Sequence, residues 1–153
     1  MYGGKTMDEK SCYIIRGIVV DGLGEGAKYV RMYSHVIREV LGIVPYPGTL
    51  NIKLWEGEKE KMETFIRSAK QVFIIPPAGE GLCRGYAWKA YLRIGESTCI
   101  PVYIVRPEKT AHGGDIVEIL SEVYIRGSFA VRSGDVVEIL VGRGCFSACL
   151  EMQ

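Results

Sequence analysis

The chain has 153 residues, 48% of them hydrophobic, and its 19 lysines and arginines nearly balance 18 aspartates and glutamates, for a formal charge of +1. That length fills one core, and a near-neutral chain without a basic run disfavours nonspecific nucleic-acid binding. No apolar stretch reaches the roughly 20 residues of a membrane span, and no signal-peptide core follows residues 1–10, so a soluble cytoplasmic protein with small-molecule partners and no membrane partner is expected.

In chain order, the β-branched residues of 12–20 predict a first strand, ended by the glycine-rich run from Asp21 to Gly26. A short strand over 29–32 is expected next. Ser34 is a good N-cap, Val36, Ile37, Val40 and Leu41 make a helical stripe, and Gly42 supplies a stop, which predicts a brief helix over 34–41. Pro45, Pro47 and Gly48 then force a turn into an alternating strand over 49–55, whose Leu50, Ile52 and Leu54 point one way and Thr49, Asn51 and Lys53 the other. Residues 58–68 carry Met62, Phe65 and Ile66, continued by Ala69, at helical spacing among charges, the pattern of a second, amphipathic helix.

Beyond residue 71 the pattern is almost wholly strand: 72–75, 86–94, 98–105, 115–120 and 135–141, with turns at Gly95-Glu96 and Ser133-Gly134-Asp135. In 86–94 the residues Tyr86, Trp88, Ala90, Leu92 and Ile94 form the apolar face. Many short strands and only two helices predict a mainly β protein, a small closed barrel. One domain over 11–141 is expected, with terminal extensions at 1–10 and 142–153, the latter without a firm pattern.

The five cysteines, Cys12, Cys83, Cys99, Cys145 and Cys149, show no paired CxxC spacing, so no structural zinc is expected. Cys145 and Cys149 have the options of pairing or of binding a metal with His112. Free thiols are the expectation for a reducing cytosol, weakened if the organism is a hyperthermophile.

Three segments carry candidate chemistry. Gly22, Gly24 and Gly26 let backbone amides turn inward as a concave anion site without Cβ obstruction, though an ordinary loop has the same composition. The run lacks the Lys-Ser/Thr pair of a Walker loop and has no βαβ unit around it. Thr49 and Asn51 share a strand face and offer two neutral oxygens; Mg²⁺ needs only one or two protein oxygens when a nucleotide supplies the rest. Finally, a polar loop over 107–114 feeds a strand on which Asp115 or Glu118 reaches a ligand while Ile116 and Val117 pack. His112, alone, has the alternative of a surface histidine.

The run 22–26, the run 45–54, the segment 109–112 leading to 116–119, and the late pattern of Arg126, Phe129 and Gly134-Asp135 together resemble, in this order, the archaeal CTP-dependent riboflavin kinase family over residues 14–141. The resemblance implies a six-stranded cradle-loop barrel, to which the helical spacing above adds two short peripheral helices. It also implies transfer of the γ-phosphate of CTP to riboflavin, giving FMN and CDP, with Mg²⁺ as the divalent ion. By motif it assigns the nucleotide to Gly22, Leu23, Gly24, Glu25, Gly26 and Ala27, and to Tyr124, Ile125, Arg126 and Gly127. Metal ligation falls on Thr49 and Asn51, and flavin contact on Thr110 and Glu118. Glu118 is the candidate general base, for substrate contact first, with Asp115 and His112 nearby. Ala27 departs from a basic residue common in the family, and Lys28 is placed to replace that charge. Around Arg126 the match is weaker, which favours backbone over side-chain contacts. Tyr46, rigid between prolines, has two readings, stacking on the flavin or rim packing. A monomer is expected. A non-catalytic nucleotide- or flavin-binding barrel and a DNA-binding β-barrel regulator are the competing classes, and the near-zero charge weighs against the last.

Overall fold

The computed structural model describes residue 8, residues 10–109 and residues 114–151. Among the described residues, seven strands occur in the order β1 (Tyr13–Val20), β2 (Leu50–Leu54), β3 (Phe73–Ile75), β4 (Gly85–Ile94), β5 (Thr98–Pro107), β6 (Ile116–Leu120) and β7 (Val136–Val141). Hydrogen bonding runs β3-β4-β5-β6-β2-β1-β7, and β7 pairs again with β4, so six strands close an antiparallel barrel and β3 is an extra edge. β4 makes closure possible by dividing one edge. Gly85 to Ala87 pair with β3, and Tyr91 to Arg93 pair with β7.

Alternation dictates the core. Ile15, Val19, Ile52, Leu54, Trp88, Leu92, Ile104, Val117, Ile119, Val137 and Ile139 pack into one buried cluster, the barrel interior, and each fully buried side chain of this kind contributes roughly 1.5–3 kcal/mol. The expected apolar face of the Tyr86 to Ile94 strand is among them. Helix α2 (Glu58–Ser68), found where the spacing predicts it, adds Met62 and Phe65 to the same cluster.

Helix α1 (Glu25–Leu41) differs from expectation: 17 residues form one helix in place of a strand over 29–32 and a short helix from Ser34. The stripe that buries Val36, Ile37 and Leu41 continues upstream through Tyr33 and Val30 at helical spacing, so packing overrides the local β propensity of 29–32. These residues cover the outside of the barrel against Ile75, Ala87, Val105 and Leu120. Gly24 caps the start with φ 83°, and Gly42 at φ 71° ends the helix by donating its N–H to the Arg38 carbonyl.

The C-terminal segment also differs. Cys145 to Glu151 form a helix, numbered α4 after the single turn α3 (Ile125–Ser128). Two disulfides, Cys12–Cys145 and Cys99–Cys149, fasten α4 to β5 and to the segment entering β1, so free thiols at these four positions are ruled out; Cys83 alone is free. Sequence separations of 133 and 50 hid both pairings, because spacing reveals only local partners. Among the described residues, no helix is long and apolar enough to cross a membrane.

Candidate functional site

Val20 and Asn51 are cross-strand neighbours, and so are Asn51 and Glu118, so the end of β1 adjoins a patch to which β2 and β6 contribute the polar residues Asn51 and Glu118. Asn51 is buried there, and the hydroxyl of Thr49, just before β2, donates to Glu118 Oε1 at 3.0 Å. The glycine run closes directly over this patch. A Cβ built on Gly22 would collide with the Asn51 side-chain amide, and one on Gly26 with Thr49 Oγ1, so only glycine allows the loop to lie so close. Gly24, in the left-handed region, turns the chain into α1 and brings that helix's unbonded N–H groups to the same place, a favourable position for an anion.

The patch has two flanks. On one, Tyr46 stacks on Tyr124 at 4.7 Å between centroids, and a recess of about 40 Å³ is lined by both rings with Thr49, Ile125 and Arg126. Tyr46 therefore packs on protein, at the rim. Tyr124 precedes α3, and its ring lies against Gly127 so closely that a Cβ there would overlap it. Arg126 donates to the Asp21 carboxylate at 2.9 Å and to Ser133 Oγ at 3.0 Å.

On the other flank a cavity of about 430 Å³ is walled by Leu23, Tyr29, Met32, Tyr33, Leu82 and Pro107, with Lys28, Cys83 and Lys109 also on its walls and Glu118 at one edge. Tyr29 and Tyr33 stack at 4.3 Å, and Tyr33 donates its hydroxyl to the Cys83 carbonyl. Burial, reinforced by neighbouring Tyr33, Cys83 and Glu118, pushes the Tyr29 phenol far above its usual range. At neutral pH that group is a neutral wall and no base. Below β5 and β6, a second cavity of about 250 Å³ also reaches Glu118, and is lined by Lys59, Glu63, Arg106 and Val117.

Of the residues singled out from sequence, Gly22, Leu23, Gly24, Glu25, Gly26 and Ala27 lead into and begin α1, over Thr49 and Asn51, with Glu118 alongside. Tyr124, Ile125, Arg126 and Gly127 gather on the opposite flank. Asp115 is half-buried and its carbonyl accepts from the Leu54 N–H. Thr110 and His112 lie outside the described residues, and the option of a Cys145, Cys149 and His112 metal site is overturned by the disulfides. Among the described residues, no three His, Cys, Asp or Glu side chains gather as a metal site. The side-chain oxygens of Thr49 and Asn51 are hard donors of the kind that suits Mg²⁺.

Sequence reading passed over Asp21, Ser133 and the Tyr29–Tyr33 wall. Asp21 carried a signal, since it immediately precedes the glycine run. Tyr29 was hidden by its placement in an expected strand.

Residues 19–141 match the family model CTP-dep_RFKase, described as a domain of unknown function, DUF120. This chain belongs to the archaeal CTP-dependent riboflavin kinase family. Similar relatives include a riboflavin kinase of Aeropyrum pernix, 38% identical over 128 residues that cover 82% of this chain and 93% of the relative. A riboflavin kinase of Staphylothermus marinus is 39% identical over 128 residues, 83% of this chain and 90% of its own. Another, from Thermofilum pendens, is 34% identical over 143 residues, 90% of this chain and 62% of its own. The barrel supplies what the family resemblance implies for the fold, six closed strands, although α1 is longer than a short peripheral helix and α3 and α4 are additional.

Proposed function

We propose that this chain is a riboflavin kinase that transfers the γ-phosphoryl group of CTP to the terminal ribityl hydroxyl of riboflavin, releasing FMN and CDP. Membership of the family supports riboflavin phosphorylation; CTP as donor rests on the family's name alone, and the glycine-lined anion site supports a polyphosphate donor without choosing its base. The observation that carries the reading is the close approach of Gly22 and Gly26 to Asn51 and Thr49, two polar groups from a separate strand segment.

In this reading the amides of 22–27 and the start of α1 hold the polyphosphate. Backbone groups of Tyr124, Ile125 and Gly127 hold the nucleoside on their flank. Thr49 and Asn51 would hold the Mg²⁺ ion, which would supply positive charge to offset that of the phosphates. In-line transfer needs the acceptor on the far side of the γ-phosphorus from the leaving CDP. That requirement places riboflavin on the Glu118 flank, its ring against the tyrosine-walled cavity, with Thr110 and Glu118 as contacts. Glu118 orients the ribityl hydroxyl, whose oxygen bonds to phosphorus as the β–γ bridging bond breaks, and whose proton passes to Glu118 or to water. The transition state is loose, so positioning outweighs base strength.

The test mixes the purified chain, riboflavin and Mg²⁺ with CTP or ATP and separates products by chromatography. FMN from CTP and not from ATP is expected, with loss of turnover on chelation by EDTA. FMN from ATP alone overturns the donor, and no FMN from either overturns the enzyme.

A further inference from the structure

Three groups outside the phosphate cradle touch one another around its upstream end. Ser133 Oγ donates to Asp21 Oδ1 at 2.6 Å, Arg126 Nη1 donates to the same oxygen at 2.9 Å, and Arg126 Nη2 donates to Ser133 Oγ at 3.0 Å. The triangle joins residues 105 and 112 positions apart from Asp21. It is braced by backbone bonds: the Gly134 N–H reaches the Val19 carbonyl at 2.7 Å, the Val19 N–H reaches the Asp135 carbonyl at 2.9 Å, and the Val131 N–H reaches the Arg126 carbonyl at 3.0 Å. The last residue before the glycine run is thus tied to both α3 and the 133–135 turn.

We infer that Asp21, Arg126 and Ser133 form a latch that positions the glycine loop for the donor nucleotide, with Arg126 acting as a positioning residue through Asp21. The inference rests on the nucleotide reading above and gives the Arg126 side chain, which that reading leaves without a role, one that acts through Asp21.

The physical need is specific. Glycines at 22, 24 and 26 give this segment more backbone freedom to lose than other residues there would, and it must lie within contact distance of Thr49 and Asn51. Downstream, α1 fixes its course; upstream, only the residue leaving β1 can do so, and that residue is Asp21. A carboxylate beside an anion site repels phosphate. Paired with a guanidinium, it supplies the anchor without the field. Arginine suits the task because its planar fork bonds two partners at once, which lysine cannot.

The latch is solvent-exposed, with the Asp21 side chain 77% accessible, so it adds little to global stability. This separates a positioning role from a structural one. In Ser133→Ala, Asp21→Asn and Arg126→Lys, the expected result is a KM for CTP raised by about tenfold, since small misplacements near the reacting group have large effects. The KM for riboflavin and the melting temperature stay at wild-type values. The double variant Asp21→Asn/Ser133→Ala is no worse than the worse single, as expected for one cooperative unit. In the substrate-free protein, ¹⁵N relaxation of the 22–26 amides should drop from order parameters of about 0.85 to below about 0.6 in each variant.

Unchanged order parameters, additive effects in the double variant, or parallel rises in both KM values with a lower melting temperature would each overturn the latch. Wild-type Arg126→Lys kinetics would overturn the fork. The relaxation measurement needs no turnover, so a chain that forms no FMN defeats the kinase reading and still leaves the latch to be decided by loop order.

Discussion

Strand β1 serves two regions that are held by different means. Its N-terminal half belongs to the seam that closes the barrel, where Glu138 of β7 accepts from Arg16 at 2.9 Å and from Arg93 of β4 at 2.5 Å, and where the neighbouring Cys12 is covalently joined to α4. Its C-terminal end delivers Asp21 and the glycine loop, held by exposed polar contacts and by a lack of side chains. Covalent and ionic staples suit a closure that must never open. Few and exposed bonds suit a loop that must admit and release a nucleotide, because binding segments come from the low-stability end of a fold. The carboxyl of Asp21 is held below its ordinary value by the Ser133 hydroxyl and the Arg126 guanidinium, so its contribution is present above the usual carboxylate range and is lost as pH falls through the lowered value.

The contrast is tested most severely at Gly26. Alanine there should improve helix propensity by about 1 kcal/mol, yet its Cβ would strike the Thr49 hydroxyl, so kcat/KM should fall by about a hundredfold while the melting temperature holds. Near-normal FMN formation by Gly26→Ala would mean that the loop does not close on Thr49. Next comes Asn51→Ala, for which steady-state assays should show kcat reduced roughly 10–100-fold in Mg²⁺, against a wild-type value if Asn51 holds no ion.

On the closure side the sign reverses, with stability lost and activity kept. Disulfides typically contribute about 2–4 kcal/mol each, and 1 kcal/mol moves the melting point of a chain this size by about 2–4 °C, so Cys145→Ala/Cys149→Ala should melt roughly 15 °C lower by calorimetry. Turnover at 25 °C should survive; its loss would join the two regions into one. The mildest case is Glu138→Gln, which removes both ion pairs and should lower the melting point by about 3 °C, an effect that shrinks in high salt.

How far the molecule was legible depended on the range of the signal. Helix α2 and the barrel strands were readable because apolar periodicity is local and the core enforces it, as in Leu50, Ile52 and Leu54. The upstream half of α1 was misread because Tyr29 to Met32 are ambiguous between strand and helix until Ile75, Ala87 and Val105 provide a surface to pack on. At the candidate site, Thr49, Asn51 and the glycines stood out by residue type, whereas the partners of Asp21 lie more than a hundred residues away.

Composition and alternation pointed to a mainly β barrel, and motifs in one order pointed to its family. Folding decided the rest: which edge of β4 receives β7, which cysteines meet, and that the glycine loop rests on Thr49 and Asn51. The reason is geometric. A hydrophobic period records which side of an element faces the core, but hydrogen bonds and disulfides depend on distances of a few ångströms between segments whose separation along the chain carries no record of their approach.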